Sequence, residues 1–363
     1  MIPFVDLNRQ NGEIKSELIE AYKNVIDSSE FCSGLFVKKF ESHMEKWLQA
    51  DYVSACSSGT AALLLALKAL GIKANDEVIV PANTFIATAW APVYLGAIPV
   101  FVDCNLDTAN IDVIDLEKKI TKNTKCIIGV HMYGNPFDIS SIMEIAKRYS
   151  IHVVEDCAQA FGSKYAGQYV GTFGAAGCFS FYPTKNLGAH GEAGAVVTSE
   201  KGCYETIMKL RNHGSQKQYY HDVIGFNMRM DGIQGAVLNT KLNHLKLWEK
   251  RKHYISDRYD CEIQNKKVKH IVKTECASPV YHLYVLKVDH RKKFLRFLED
   301  KGVGYGLHYP LCCPYQKAFQ HLRYQYGSFP NAEYLSEHIV SIPFFVGLSD
   351  DEVSIIIEAI NNY

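Results

Sequence analysis

Residues 180–194 read SFYPTKNLGAHGEAG and join two apolar runs, GCFSFY (177–182) and GAVVTS (194–199). The linker is rich in glycine and carries one lysine, Lys185, so it predicts a loop between two strands rather than a helix. Upstream the pattern differs. The strand-like runs DEVIVP (76–81), IPVFVD (98–103), KCIIGVHMYG (125–134) and IHVVED (151–156) alternate with helix-like TAALLLALKALG, ATAWAPVYLGA, DVIDLEKKI and SSIMEIAKRY. Continuous apolar strands separated by helices predict a mostly parallel sheet covered on both faces, an α/β fold.

The chain has 363 residues, 47% hydrophobic and 21% charged, which is the composition of a globular enzyme rather than a disordered chain. Lys+Arg and Asp+Glu balance at 39 each, so no global charge drives it to nucleic acid or to a membrane surface. Its 11 cysteines include no C-x-x-C pair and its 14 histidines no H-E-x-x-H, so no metal site is expected. The expectation is free thiols in a reducing cytosol. The opening MIPFVDLNRQ lacks an apolar signal region and no apolar run spans a bilayer, which predicts a soluble cytoplasmic protein.

Past about residue 235 the pattern changes. DGIQGAVLNTKLNHLKLWEKRKHYISDRYDCEI predicts a long helical region. VYHLYVLKVD then reads as a strand, and RKKFLRFLEDKG as a helix ending at Gly302 by a glycine cap. The expected organisation is an N-terminal segment (1–30) with a helix near 13–27, a large domain (31–240) and a smaller α+β C-terminal domain (241–363).

Three stretches carry candidate chemistry. In CSSGTAALLLALKALG (56–71), small residues lead into a helix, whose first turn presents free N–H groups and the positive dipole end. The same residues also suit an ordinary N-cap. In IHVVEDCAQAFGSKYAG (151–167), Asp156 ends a buried strand, where α/β folds place ligand-contacting groups, and Gln159 adds a polar contact. A carboxylate there also suits helix capping. Lys185, in its glycine-rich loop, becomes a nucleophile if partly desolvated and is otherwise a solvated surface charge. An anion cradle, a buried acid and a lysine in this order match the needs of pyridoxal phosphate: an anchored phosphate, a protonated pyridine nitrogen and an amine for the aldehyde. Phe85 in NTFIATAWA suits stacking on the pyridine ring, and equally a place in the core. The glycines of GTFGAAG (171–177) precede a strand, and those of GVGYG (302–306) follow a helix, so neither supports a dinucleotide site.

SSGTAAL, VPANTFIATA, VHMYGNPFDI, VVEDCAQAFGSKYAG, FSFYPTKNLGAHGEAGAVVT, RNHGS, IGFNMRMDGIQGAVLNTKL and GLHYP, with the opening IPFVDLNRQ, together resemble the DegT/DnrJ/StrS family of sugar aminotransferases. The resemblance covers nearly the whole chain. It implies a fold-type-I pyridoxal-phosphate aminotransferase, a large domain with a mostly parallel mixed sheet plus a smaller C-terminal domain. It also implies a homodimer with active sites at the subunit interface. By resemblance, Lys185 holds the cofactor aldehyde, Asp156 the ring nitrogen and Gln159 the ring hydroxyl, while Phe85 stacks on the ring. Gly59, Thr60 and Ser180 form the phosphate cradle, and Asn227 reaches the phosphate of the neighbouring subunit.

SFYPTKNLGA is similar to members that aminate a 3-keto sugar, and the resemblance is nearest to enzymes making dTDP-3-amino-3,6-dideoxyhexoses, of the QdtB and FdtB type. His190 and GEAG depart from the Leu and Gly-Asp-Gly-Gly common in those members. The implied reaction moves an amino group from L-glutamate to a nucleotide-linked 3-keto sugar. Tyr182, His308 and Tyr309 are candidates to face the hexose, and Arg229, with Lys209, Arg211 and His213, to neutralise a diphosphate. The same types also suit core tyrosines and surface cations. Amination at C4, and a regulatory protein on the same scaffold, are the alternatives. A sugar dehydratase of this family is expected to carry histidine at position 185.

Overall fold

A computed structural model describes residues Met1–Tyr363. The chain opens with helices α1 (Leu7–Glu13), α2 (Lys15–Ser28) and α3 (Gly34–Leu48), then enters strand β1 (Tyr52–Cys56). Strand–helix alternation follows: α4 (Gly59–Ala69), β2 (Glu77–Pro81), α5 (Ile86–Tyr94), β3 (Ile98–Val102), α6 (Val113–Lys118), β4 (Thr124–Val130), α7 (Ile139–Tyr149) and β5 (His152–Asp156). Strands β6 (Ala176–Ser180) and β7 (Gly194–Thr198) then flank the Lys185 loop.

These strands form one seven-stranded sheet in the order β1-β7-β6-β5-β4-β2-β3. Strands β2, β3, β4, β5 and β6 pair in parallel, whereas β7 is antiparallel to both β6 and β1. A loop without a helix is what an antiparallel return allows, because a parallel return needs a crossover. Strand alternation divides the sheet between two cores. On β4, Ile127 joins the side of Phe40, Phe179 and Val237, while Cys126 and Ile128 join the side of Leu65, Val80 and Val154. Each such valine, leucine, isoleucine or phenylalanine side chain contributes about 1.5–3 kcal/mol by leaving water.

The strand expected over 125–134 stops at Val130, where the chain turns and His131 points inward. Strand β1 was not expected from the sequence. Its YVSAC pattern places Ser54 at a fully buried position, and a hydroxyl there masks the apolar signal. The expected helix near 13–27 is α2, and α1 precedes it as a separate element.

After α8 (Lys201–Leu210), α9 (Gly232–Glu262) runs for 31 residues, roughly 46 Å at 1.5 Å per residue. The expected boundary near residue 240 falls inside it. Its first half packs Val237, Leu245 and Trp248 on the large-sheet core. Its second half packs Ile255 and Tyr259 into a third core with Leu286, Val340 and Ile356. That core lies on a small antiparallel sheet of β8 (Val268–His270), β9 (Tyr284–Val288) and β10 (Ile339–Ile342), with α10 (Arg291–Asp300), α11 (Pro330–His338) and α12 (Asp350–Asn361). Gly302 follows α10 with φ +68, the left-handed geometry of a glycine cap. The N-terminus is tied to this part, since Arg9 forks onto Glu352 at 2.6 and 2.9 Å. All 11 cysteines are unbridged. No helix is long and apolar enough to cross a membrane.

Candidate active site

The C-terminal ends of the parallel strands open into a cavity of about 600 Å³. Gly59, Thr60, Phe85, Asp156, Gln159, Ser180, Tyr182, Lys185, His308 and Tyr309 all line it, so segments far apart in sequence converge on one space.

One wall is the start of α4. Ser58 is the N-cap, its hydroxyl accepting the Ala61 N–H at 3.1 Å. The N–H groups of Gly59 and Thr60 have no helical partner, so capping and an anion cradle coexist at this turn. A Cβ on Gly59 would stand 2.7 Å from Ser180 Cβ, so only glycine lets the strand end approach the helix start.

Strand β5 ends in two consecutive acids that alternation sends to opposite faces. Glu155 turns away from the cavity and accepts from the N–H groups of Gly171, Phe173 and Gly174 at 2.7–2.8 Å and pairs with His131 at 3.1 Å. It ties a turn into the core. Asp156 faces the cavity, accepting from the Thr88 hydroxyl at 2.8 Å and the Ala158 N–H at 3.1 Å. Burial raises its pKa, opposed by Thr88, the Ala158 N–H and the positive charge of Lys185. Its hydrogen bonds come from neutral donors only, which leaves its charge open to a cationic group in the cavity.

Lys185 comes from the opposite wall. Burial pushes its pKa down to about 8, with Asp156 pulling the other way. Its amine lies 3.5 Å from His282 Nε2, and burial and the charge of Lys185 keep His282 neutral, well below the ordinary histidine range. The loop closes because Ala189 N–H bonds Phe181 carbonyl at 2.8 Å and Gly188 lies against the Pro183 carbonyl, where a Cβ would come within 2.2 Å.

Gln159 accepts from the Tyr133 N–H at 2.6 Å and donates to the Tyr309 hydroxyl at 3.2 Å, which fixes its amide at the cavity edge. The Phe85 ring is half exposed and lies 5.7 Å from that of Tyr309. His308 is held by Ser341 at 2.9 Å, and burial and Lys185 push its pKa down to about 4, so near neutral pH it offers hydrogen bonds rather than charge. A free cradle, a buried acid without a cation, a poised amine and an exposed ring edge fit pyridoxal phosphate.

Other candidates lie elsewhere. Asn227 is exposed and pairs by backbone with Asn212, outside the chain's own cavity. Arg229 donates to the Asn212 side chain at 2.8 Å and does not line the cavity either. Lys209 pairs with Asp222 at 3.3 Å, and His213 sits beside it on a separate surface hollow. Arg211 is buried against Glu41 at 2.6 Å and the Ala55 carbonyl, so it braces α3 to β1 and is not free to meet a diphosphate. His190 accepts from or donates to the Tyr22 hydroxyl at 3.0 Å and stacks on that ring, joining α2 to the Lys185 loop. Thr88 and His282 escaped the sequence reading. Thr88 sits three residues after Phe85 on the first turn of α5, and His282 lies ahead of β9, with nothing local to mark either.

The sequence profile of the DegT/DnrJ/EryC1/StrS aminotransferase family matches residues 12–361. The dTDP-3-amino-3,6-dideoxy-α-D-galactopyranose transaminase of Aneurinibacillus thermoaerophilus is 39% identical over 100% of this chain and 99% of its own. A pleiotropic regulatory protein of Geobacillus stearothermophilus is 37% identical over 100% and 98%. Other relatives are named for UDP- and GDP-linked sugars. Among solved structures, DesV of S. venezuelae superposes with a TM-score of 0.97 at 35% identity, covering 99% of this chain and 98% of its own. Bacillus subtilis NtdA with bound cofactor PMP superposes with a TM-score of 0.92 at 29% identity, covering 99% and 84%.

Proposed function

The chain belongs to the DegT/DnrJ/EryC1/StrS aminotransferase family, and from that premise we propose that it moves an amino group from glutamate to the C3 ketone of a dTDP-linked 3-keto-6-deoxyhexose. It is an aminotransferase of sugar nucleotides with pyridoxal phosphate as cofactor. The observation that carries the reading is the meeting of the Lys185 amine, the Asp156 carboxylate and the free Gly59–Thr60 turn in one cavity.

When bound, the cofactor supplies a carbonyl that bonds amines and a protonated ring that draws electrons from the substrate carbon. Asp156 holds the proton on the ring nitrogen. The start of α4, with Ser180, binds the phosphate through N–H groups and dipole. Phe85 covers one ring face, and Gln159 is placed for the ring hydroxyl. Lys185 holds the cofactor between turnovers and, once released, carries a proton to and from the substrate carbon as general acid and base. Its pKa of about 8 keeps a useful neutral fraction near neutral pH.

The sugar faces the Tyr182, His308 and Tyr309 side of the cavity. Asn227 and Arg229 act across a homodimer interface on the neighbouring subunit's phosphate groups. The exposed Tyr219, Tyr220 and Ile224, at 83%, 64% and 89%, support burial of that segment by a second copy. C3 chemistry is supported by the galactose-type relative and by SFYPTKNLGA.

Incubation with glutamate and a panel of dTDP- and UDP-linked 3-keto and 4-keto sugars, with products read by mass and NMR, tests the assignment. A C3 amine on a dTDP sugar is expected. A product aminated only at C4 overturns the regiochemistry. Lys185→Ala is expected to lose turnover by at least about 10³-fold; a variant that keeps turnover removes the assigned role of Lys185.

A further inference from the structure

Behind Lys185 lies a second cavity, of about 230 Å³, which shares Thr184, Lys185, His282 and His308 with the first as walls. Its far side is built from α9 (Trp248, Glu249, Lys252), the N-terminal Phe4 and the aromatic Phe344.

Its chemistry is unusual for an interior space. Lys252 is 92% buried by its 8% exposure, yet its ammonium donates only to neutral acceptors, the Asn186 side chain at 3.0 Å and the His282 carbonyl at 3.5 Å. It stands over the Phe344 ring, 4.7 Å from the centroid. Two other buried polar atoms of the same walls have no partner at all, His282 Nδ1 and Glu249 Oε1. Buried polar groups are normally satisfied, and a buried charge without an ionic partner is costly. A bound anion gives Lys252 an ionic partner and accepts from the ring of neutral His282 if Nδ1 carries its proton.

We propose that this cavity seats the side-chain carboxylate of a dicarboxylic amino donor, with Lys252 as its counter-ion. This rests on the aminotransferase reading above. The donor's amine must reach the position of the Lys185 amine, and His282 relates the two lysines, touching Lys185 through its ring and Lys252 through its carbonyl. Both amines therefore border one side chain, and a donor with a second carboxylate has a group to offer Lys252 that alanine lacks. No arginine lines either cavity. Arg9 and Arg251, on neighbouring surfaces, are engaged with Glu352 and Asp350.

The electrostatics agree. Burial lowers Lys252 to about 7 and raises Glu249 to about 7. An anion arriving beside Lys252 favours the charged lysine and the neutral acid, so both pKa values rise and binding takes up protons just above neutrality. Lys185, His282 and His308 are the other titratable groups facing the space.

Calorimetric titration of the holoenzyme at pH 8 with glutarate and with butyrate, in buffers of different ionisation enthalpy, tests the assignment. Glutarate should bind at least tenfold tighter than butyrate and with proton uptake. Equal affinities, or glutarate binding without uptake in the unmodified protein, overturn it. Lys252→Met should erase the glutarate preference and lower the glutamate-over-alanine rate ratio of the donor half-reaction at least tenfold, with Lys252→Arg retaining part of it. An unchanged ratio overturns the proposal. If the unmodified protein exchanges no amino group with any amino acid while glutarate binds through Lys252, the aminotransferase reading fails and the anion seat stands.

Discussion

The Thr88 hydroxyl donates to the Asp156 carboxylate at 2.8 Å, from the first turn of a helix onto the end of a strand 68 residues later. If Asp156 holds the ring nitrogen as proposed, Thr88 is a positioning residue, because it touches only the acid. Thr88→Val keeps the shape and removes the donor, leaving a buried carboxylate oxygen unsatisfied at a cost of about 1–3 kcal/mol. The Asp156 pKa, already raised by burial, rises further, so the acid limb of the kcat profile should move to higher pH. Thr88→Ser should restore it, and a Tm loss with an unmoved profile would make Thr88 merely structural.

Gly59→Ala tests the anion cradle. Its Cβ, 2.7 Å from Ser180 Cβ, forces the helix start away from the strand end, a strain of about 1–3 kcal/mol. The expected readout is cofactor affinity weakened at least about tenfold in a fluorescence titration, about 1.4 kcal/mol. Unaltered affinity would remove this turn from the phosphate site.

Lys185 sets a pH dependence. In the cofactor-free protein only the neutral amine captures pyridoxal phosphate, so the capture rate should climb about tenfold per pH unit below about 8 and level above it. An unburied lysine would keep climbing past 10. The sign for stability follows from the lowered pKa. Between about 8 and the ordinary lysine value of 10.5 the unfolded chain binds the proton more tightly, so the cofactor-free protein gains stability as pH rises through that window. Below about 8 this group contributes no slope. Rapid-mixing absorbance and thermal melts at several pH values measure the two.

Arg211 and Glu41 form a buried pair at 2.6 Å. Removing one partner leaves an unmatched charge inside, so Arg211→Met should lower stability by about 3–5 kcal/mol. A denaturant melt reads this. The residual folded enzyme should keep its KM for the sugar nucleotide, and a raised KM with unchanged stability would return Arg211 to the diphosphate.

The candidate residues that line the cavity were legible because their local settings are: a small-residue turn before a helix, an acid ending an apolar strand, a lysine among glycines. So was the α/β alternation, since period-2 and helical patterns are properties of short windows. By itself the sequence determined that a small-residue turn, a strand-end acid and a loop lysine are present, and on which element each stands. Tertiary structure decided which of them meet. The adjacent acids of VVED are equivalent as letters, yet strand alternation sends Glu155 into a structural turn and Asp156 into the cavity. The cations of KLRNH look alike, yet packing buries Arg211 on Glu41 and leaves Lys209 outside. Lys185 sits in a loop as many surface lysines do, and its pKa falls because the walls around it, His282 from 97 residues later among them, remove it from water. Burial and charge pairing are sums over neighbours distant in the chain, and no local pattern records them.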